Sequence, residues 1–240
     1  MTDDALLATL KGFAGGLDAS QLAQLACLLE LLEIDEHAPT AVRAAGEAAD
    51  VHLADSLVAL ELEPVREARM IADVGSGAGF PGLVLAVALP EARVSLLDSQ
   101  RRKCQFIERA RTRAGITNAR AVCTRVEEWD EGAGRQDLVL ARALAPQPVV
   151  LEYAAPLLRE GGALLDWRGR RLPDEERAAR EAAAQLGLER AEIRAVEPFA
   201  GARDRHLHLY VKVGHTPPRF PRRPGAALKR PLDGARRRGG

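Results

Sequence analysis

Near the start of the chain, leucines recur at helical spacing: Leu22, Leu25, Leu28, Leu29 and Leu32 predict an amphipathic helix that packs by that face. A second Ala/Leu-rich segment, residues 41–62, also reads as helical and carries His52-Leu-Ala-Asp-Ser-Leu57. From Arg69 the pattern changes. Short apolar runs alternate with helix-compatible stretches, predicting strands over 70–74, 93–97, 119–123, 136–141 and 163–167. Helices are expected over 82–89, 101–114 and 174–187, with another ending near Arg159. Gly115 reads as a helix cap, and Gly161-Gly162 as a turn. Two last runs, 191–198 and 206–213, read as an antiparallel hairpin. Alternating strands and helices followed by a hairpin predict an α/β, doubly wound, Rossmann-like sheet with an N-terminal helical extension. The expected division is 1–68, 69–213 and a tail, 214–240. Residues 217–238, rich in Pro, Arg and Gly, are expected to hold no regular structure.

Ligands of such sheets bind beyond the carboxyl ends of the strands. The first strand ends in Asp73-Val-Gly-Ser-Gly-Ala-Gly-Phe-Pro-Gly82, with Gly75, Gly77 and Gly79 at every second position. Glycines let such a turn pass close to a ligand. A dinucleotide fingerprint would be G-x-G-x-x-G with a pyrophosphate on the helix N-terminus. Here the spacing is G-x-G-x-G behind an acid, Asp73, which suits an ammonium group better than a pyrophosphate. The second strand ends in another acid, Asp98, placed to accept both hydroxyls of a ribose. An amino acid, a ribose and no phosphate together describe S-adenosylmethionine. The alternative for Asp98 is a cap for the helix that follows.

Acidic and basic residues balance at 34 each, so nothing in the total charge demands a polyanion. The distribution changes that picture. Between Thr216 and Gly240 stand Arg219, Arg222, Arg223, Lys229, Arg230, Arg236, Arg237 and Arg238, against the single acid Asp233. Such a tail suits RNA phosphates or a solvated end. The odd set Cys27, Cys104 and Cys123 has no metal-like spacing and reads as reduced thiols. Asp3 and Asp4 stand where a signal peptide would be basic, and no apolar run reaches membrane-spanning length. A cytoplasmic protein without bound metal is expected.

The chain resembles the bacterial methyltransferases that form N7-methylguanosine in small-subunit (16S) ribosomal RNA, the glucose-inhibited division protein B family. The matching pieces are His52-Leu-Ala-Asp-Ser-Leu57, the Gly-rich segment through Phe80-Pro-Gly82, Leu96-Leu-Asp-Ser99, Lys103, Arg125-Val-Glu-Glu128, Arg142-Ala143, Gly161-Gly162, Arg205-His-Leu207 and Pro221-Arg-Arg-Pro-Gly225. Two departures stand out. The family's usual Asn-Leu-Thr is replaced by His37-Ala-Pro-Thr40, and its Lys-Gly by Arg168-Gly169.

The resemblance implies a class I S-adenosylmethionine-dependent methyltransferase, monomeric, acting on ribosomal RNA or the small ribosomal subunit. It makes Phe80 a cofactor contact, where the residue alone reads as a core aromatic. It places Arg142 at both cofactor and substrate. Val126 and Glu127 follow the third strand, where this fold places an adenine; Glu127 reads otherwise as a solvated acid. Arg168 and Arg205 stand with Arg142 at one sheet edge, and with Arg222 and Arg223 of the tail they form the candidate RNA-binding set. Each could instead form a surface ion pair. The tail around Phe220 is expected to clamp RNA phosphates, the alternative being a strap on the core. His52, Asp55 and Ser56 are expected to brace the N-terminal helices. Guanine N7 has a free lone pair and no proton to lose, so no catalytic base is named. A small-molecule methyltransferase and a non-catalytic cofactor-binding protein are the competing readings.

Overall fold

The computed structural model describes residues 16–232. The first 15 residues of the expected helical extension, and Asp233, Arg236, Arg237 and Arg238 of the tail, lie outside the described residues.

Helix α1 (Ala19–Ile34) begins with a reciprocal cap: Asp18 Oδ1 accepts the Gln21 N–H, and Gln21 Oε1 accepts the Asp18 N–H. Leu25, Leu28, Leu29 and Leu32 are buried, and the Gln21 amide donates to the Val87 carbonyl. The segment carrying His52 and Asp55 is helical but irregular. It passes through α2 (Ala45–Ala48), a π-helical stretch (Ala49–Ala54), α3 (Asp55–Leu57) and a 3-10 turn (Val58–Glu61) before α4 (Glu63–Glu67).

The strands are β1 (Met70–Val74), β2 (Arg93–Asp98), β3 (Ala119–Cys123), β4 (Gln136–Arg142), β5 (Leu158–Arg168), β6 (Leu188–Ala195) and β7 (His206–Lys212). They form one sheet in the order β3-β2-β1-β4-β5-β7-β6, the first five parallel and β6 and β7 antiparallel. The order reverses between β1 and β4, which makes the carboxyl ends of these strands the ligand edge. Helices α5 (Gly82–Ala88) and α6 (Arg101–Arg113) share one apolar cluster with α1 and the irregular segment. Helices α7 (Gln147–Ala154) and α8 (Pro173–Leu186) pack in the other cluster, with Trp129.

Besides the helix expected to end near Arg159, which stops at Ala154 with Arg159 already in β5, three sequence expectations change. Gly161-Gly162 is not a turn: β5 runs through it. Gly161 takes φ +75°, and a Cβ at Gly162 would lie 2.8 Å from the Gln136 carbonyl, so the pair marks an irregularity in the pairing with β4. Strand β6 begins three residues earlier than expected, directly after Gly187, whose φ of +73° ends α8.

The third change concerns the tail. Residues 217–232 lie on the core, and they include a short helix, α9 (Ala226–Lys229). Phe220 is buried, and Arg222 sets a two-pronged ion pair on Glu152 of α7, itself only 1% exposed. A buried aromatic and a buried acid in need of a partner outweigh the disordering composition. Among the described residues, no helix is long and apolar enough to cross a membrane.

Candidate functional site

The turn after β1 is built by its glycines. Gly75, Gly77 and Gly79 all take positive φ, at +71°, +59° and +91°. The N–H groups of Gly75 and Ser76 donate to the Leu97 carbonyl, tying the turn to β2. A Cβ at Gly75 would lie 2.4 Å from Leu144, and one at Gly79 2.6 Å from Leu83. A Cβ at Gly77 meets nothing closer than the Gly75 carbonyl at 3.9 Å, so this position opens onto free space.

Asp73 closes the neighbouring helix end. Its Oδ2 accepts the Gly82 N–H at 2.9 Å, at the start of α5. Burial raises its pKa to about 6, against the lowering effect of that bond. An acid on the helix start occupies the place a pyrophosphate would take. Asp73 is 1% exposed and is not among the residues lining the clefts described below. Phe80 also lies inward, 6% exposed, its ring stacked on His52 with centroids 4.6 Å apart.

Beyond the turn lies a cleft of about 280 Å³, lined by Gly75, Asp98, Ser99, Lys103, Val126 and Glu127 among others. Asp98 accepts the Gly77 N–H at 3.2 Å and the Gln100 N–H at 2.9 Å, and pairs with Lys103 at 3.3 Å. A carboxylate offers about four lone-pair positions, so capacity remains for a hydroxyl. Leu144, Tyr153 and Leu228 complete the walls.

A second cavity of about 400 Å³ lies beside the first, lined by Arg142, Trp167, Arg168, Arg171, Arg205 and His208 among others. Ala143 and Ala145 line both spaces. Ala143 takes φ +52°, a strained value for a residue with a side chain, at the junction.

Arg142 and Arg205 are held by the irregular N-terminal segment. Arg142 donates to the Val51 carbonyl at 3.0 Å and to Asp55 Oδ2 at 2.9 Å. Arg205 lies 3.7 Å from the other Asp55 oxygen, and the Trp167 indole donates to the Asp55 carbonyl. His52 is kept neutral: burial and the Arg142 charge lower its pKa to about 4. The Val42 carbonyl can only accept, so Nε2 carries the proton and Nδ1 faces Arg142. Thr40, in the segment that departs from the family pattern, reaches His52 Nε2 at 3.2 Å. Arg168 donates to the Ala145 carbonyl and lies 3.5 Å from Asp166. Burial lifts Asp166 to about 7, against the pull of Arg168, while Gln147 donates to it.

Thus Gly75, Asp98, Val126 and Glu127 meet in one cleft, and Arg142, Arg168 and Arg205 in the next. Gly77 and Gly79 shape the turn. Arg222 stands apart, turned onto Glu152, and Arg223 is exposed. Sequence reasoning missed Leu144, Tyr153 and Leu228 as cleft walls and Asp55 as the common partner of two arginines. For Asp55, an acid amid apolar residues three positions after His52 was the available signal.

The residues fit S-adenosylmethionine: an acid with room for a ribose hydroxyl, an open approach at Gly77, and a helix start already capped by a carboxylate. Sheet order, glycine turn and strand-end acid define a class I S-adenosylmethionine-dependent methyltransferase. Solved structures share the fold. Cofactor-bound Rv0187 from MTB aligns over 87% of this chain and 96% of its own, with TM-score 0.56 and 22% identity. Fibrillarin of Aeropyrum pernix, with natively bound S-adenosyl-L-methionine, aligns over 66% and 74%, with TM-score 0.50 and 20% identity.

Residues 19–208 match the family described as rRNA small subunit methyltransferase G, and the chain belongs to that family of S-adenosylmethionine-dependent methyltransferases. The ribosomal RNA small subunit methyltransferase G of Pelotomaculum thermopropionicum is 37% identical over 197 residues, 80% of this chain and 82% of that protein. Its namesake in Thermotoga neapolitana is 34% identical over 230 residues, 95% of this chain and 99% of that protein.

Proposed function

We propose that this protein methylates N7 of a guanosine in 16S ribosomal RNA, with the small ribosomal subunit or its RNA as partner. The observation that carries the reading is the shared wall of Ala143 and Ala145. It sets a cofactor cleft and an arginine-lined cavity side by side. Bound in the first, S-adenosylmethionine supplies an electrophilic methyl group on a sulfonium.

The chain's own residues then bind and align. Asp98 holds the ribose, and Gly77 permits close approach of the ligand's methionine end. Arg168 and Arg205 suit the O6 of guanine or an adjacent phosphate, which leaves the N7 lone pair free for the methyl group. Arg142, fixed by Asp55, backs the junction. N7 carries no proton, so alignment and exclusion of water supply the catalysis and no side chain removes a proton. The exposed large apolar side chains among the described residues, Ile34, Leu172, Val213 and Leu228, are scattered over different elements, which supports a monomer. Free cysteines and a ribosomal substrate support a cytoplasmic location.

Label transfer from S-[methyl-³H]adenosylmethionine to naked 16S RNA and to small subunits tests the reading. Labelling of either, lost in Asp98→Ala, supports it. No label in either sample overturns it.

A further inference from the structure

The tail meets the methyltransferase core at the rim of the cofactor cleft. Leu228 of α9 is 55% exposed, yet it lines that cleft together with Asp98 and Val126. Its neighbour Ala227 is 1% exposed and packs with Val149 and Tyr153 of α7. Glu127, which lines the cleft where an adenine is expected, also holds the tail. Its Oε1 accepts the Gly225 N–H at 2.9 Å. The Arg222–Glu152 pair anchors the same strap a few residues earlier.

A ribose held at Asp98 directs its base along the cleft toward Val126. A purine there needs apolar cover on both faces, and Leu228 is the exposed apolar side chain on the tail side. We infer that the C-terminal strap forms the outer wall of the cofactor site, with Leu228 covering the adenine and Glu127 positioning the strap. The inference rests on the assignment of this cleft to S-adenosylmethionine and adds a cofactor contact from the tail.

The test measures Kd by calorimetry for S-adenosylhomocysteine and for S-inosylhomocysteine, in which an oxygen replaces the exocyclic amine. Leu228→Ser weakens both ligands about five- to tenfold, as expected for lost apolar cover. Its Tm is unchanged, since the side chain is exposed, and Leu228→Met restores affinity. Glu127→Ala weakens both ligands by one common factor, and the double variant is no weaker than Glu127→Ala alone, because both act through the strap. Wild-type affinity in Leu228→Ser overturns the proposal. So does a Glu127→Ala loss confined to the adenosine ligand, which would make Glu127 the amine reader. Wild-type protein that binds neither ligand overturns the cofactor assignment itself.

Discussion

Asp98 joins the turn to the ligand: it holds the Gly77 N–H and Lys103 while facing the cleft. Asp98→Ala removes charge-assisted bonds worth about 1.5–3 kcal/mol each. Cofactor affinity should fall about tenfold or more, read by calorimetry. Gly77→Val should abolish cofactor binding, because a β-branched residue at φ +59° is strained and its side chain fills the open approach. Near-normal binding by the folded variant would remove the turn from the pocket. Asp166 gives a pH signature. Burial raises its folded pKa to about 7, above the ordinary carboxylate value of 3.8, so the folded state holds its proton more tightly. That contribution to stability is full below about pH 4 and is lost as pH rises to about 7. Asp166→Asn, which keeps an acceptor for Gln147, should flatten the loss in denaturation curves taken across that range. Glycine spacing and Asp98 were legible in sequence because turn conformation and strand ends are local. The burial of Asp73 was not, since it depends on how α5 packs over the turn; Phe80, which alone reads as a core aromatic, is indeed buried, against His52.

Among the elements, the irregular segment from α2 to the turn at Glu61 does the most for the site. It delivers Asp55 to Arg142 and Arg205 and stacks His52 on Phe80. Asp55→Asn keeps the shape and removes the charge. RNA methylation should drop about tenfold, in line with misaligned reactants, while cofactor affinity holds. An equal fall in both would mean the segment supports the whole fold instead. The alternating strand–helix order was readable because each element carries its own period. The extent of β5 and the start of β6 were not, because glycine reads as a turn until a neighbouring strand accepts it. The helical character of residues 45–61 was readable, but its mixed geometry, set by packing against the sheet, was not.

At the scale of the molecule, the tail is two-sided. Phe220, Arg222 and Ala227 face the core, while Arg219, Arg223, Lys229 and Arg230 are exposed. Composition revealed the basic side and left a strap on the core as the alternative; the contacts to Glu152 and Glu127 show the inward side. Truncation after Gly214 removes the buried Phe220 and Ala227 together with the Arg222–Glu152 pair, and full burial of one large apolar side chain is worth about 1.5–3 kcal/mol. Thermal melting should fall together with cofactor and RNA affinity. A tail that only clamps phosphates would instead lose RNA binding and its salt dependence with cofactor affinity untouched. The central claim, that the paired cavities carry a methyl group to guanine N7 in 16S ribosomal RNA, is tested most directly by the product. Small subunits incubated with the protein and labelled S-adenosylmethionine are digested to nucleosides and resolved by liquid chromatography and mass spectrometry. Label in N7-methylguanosine is the predicted result; label in any other nucleoside, or none in RNA, would contradict it.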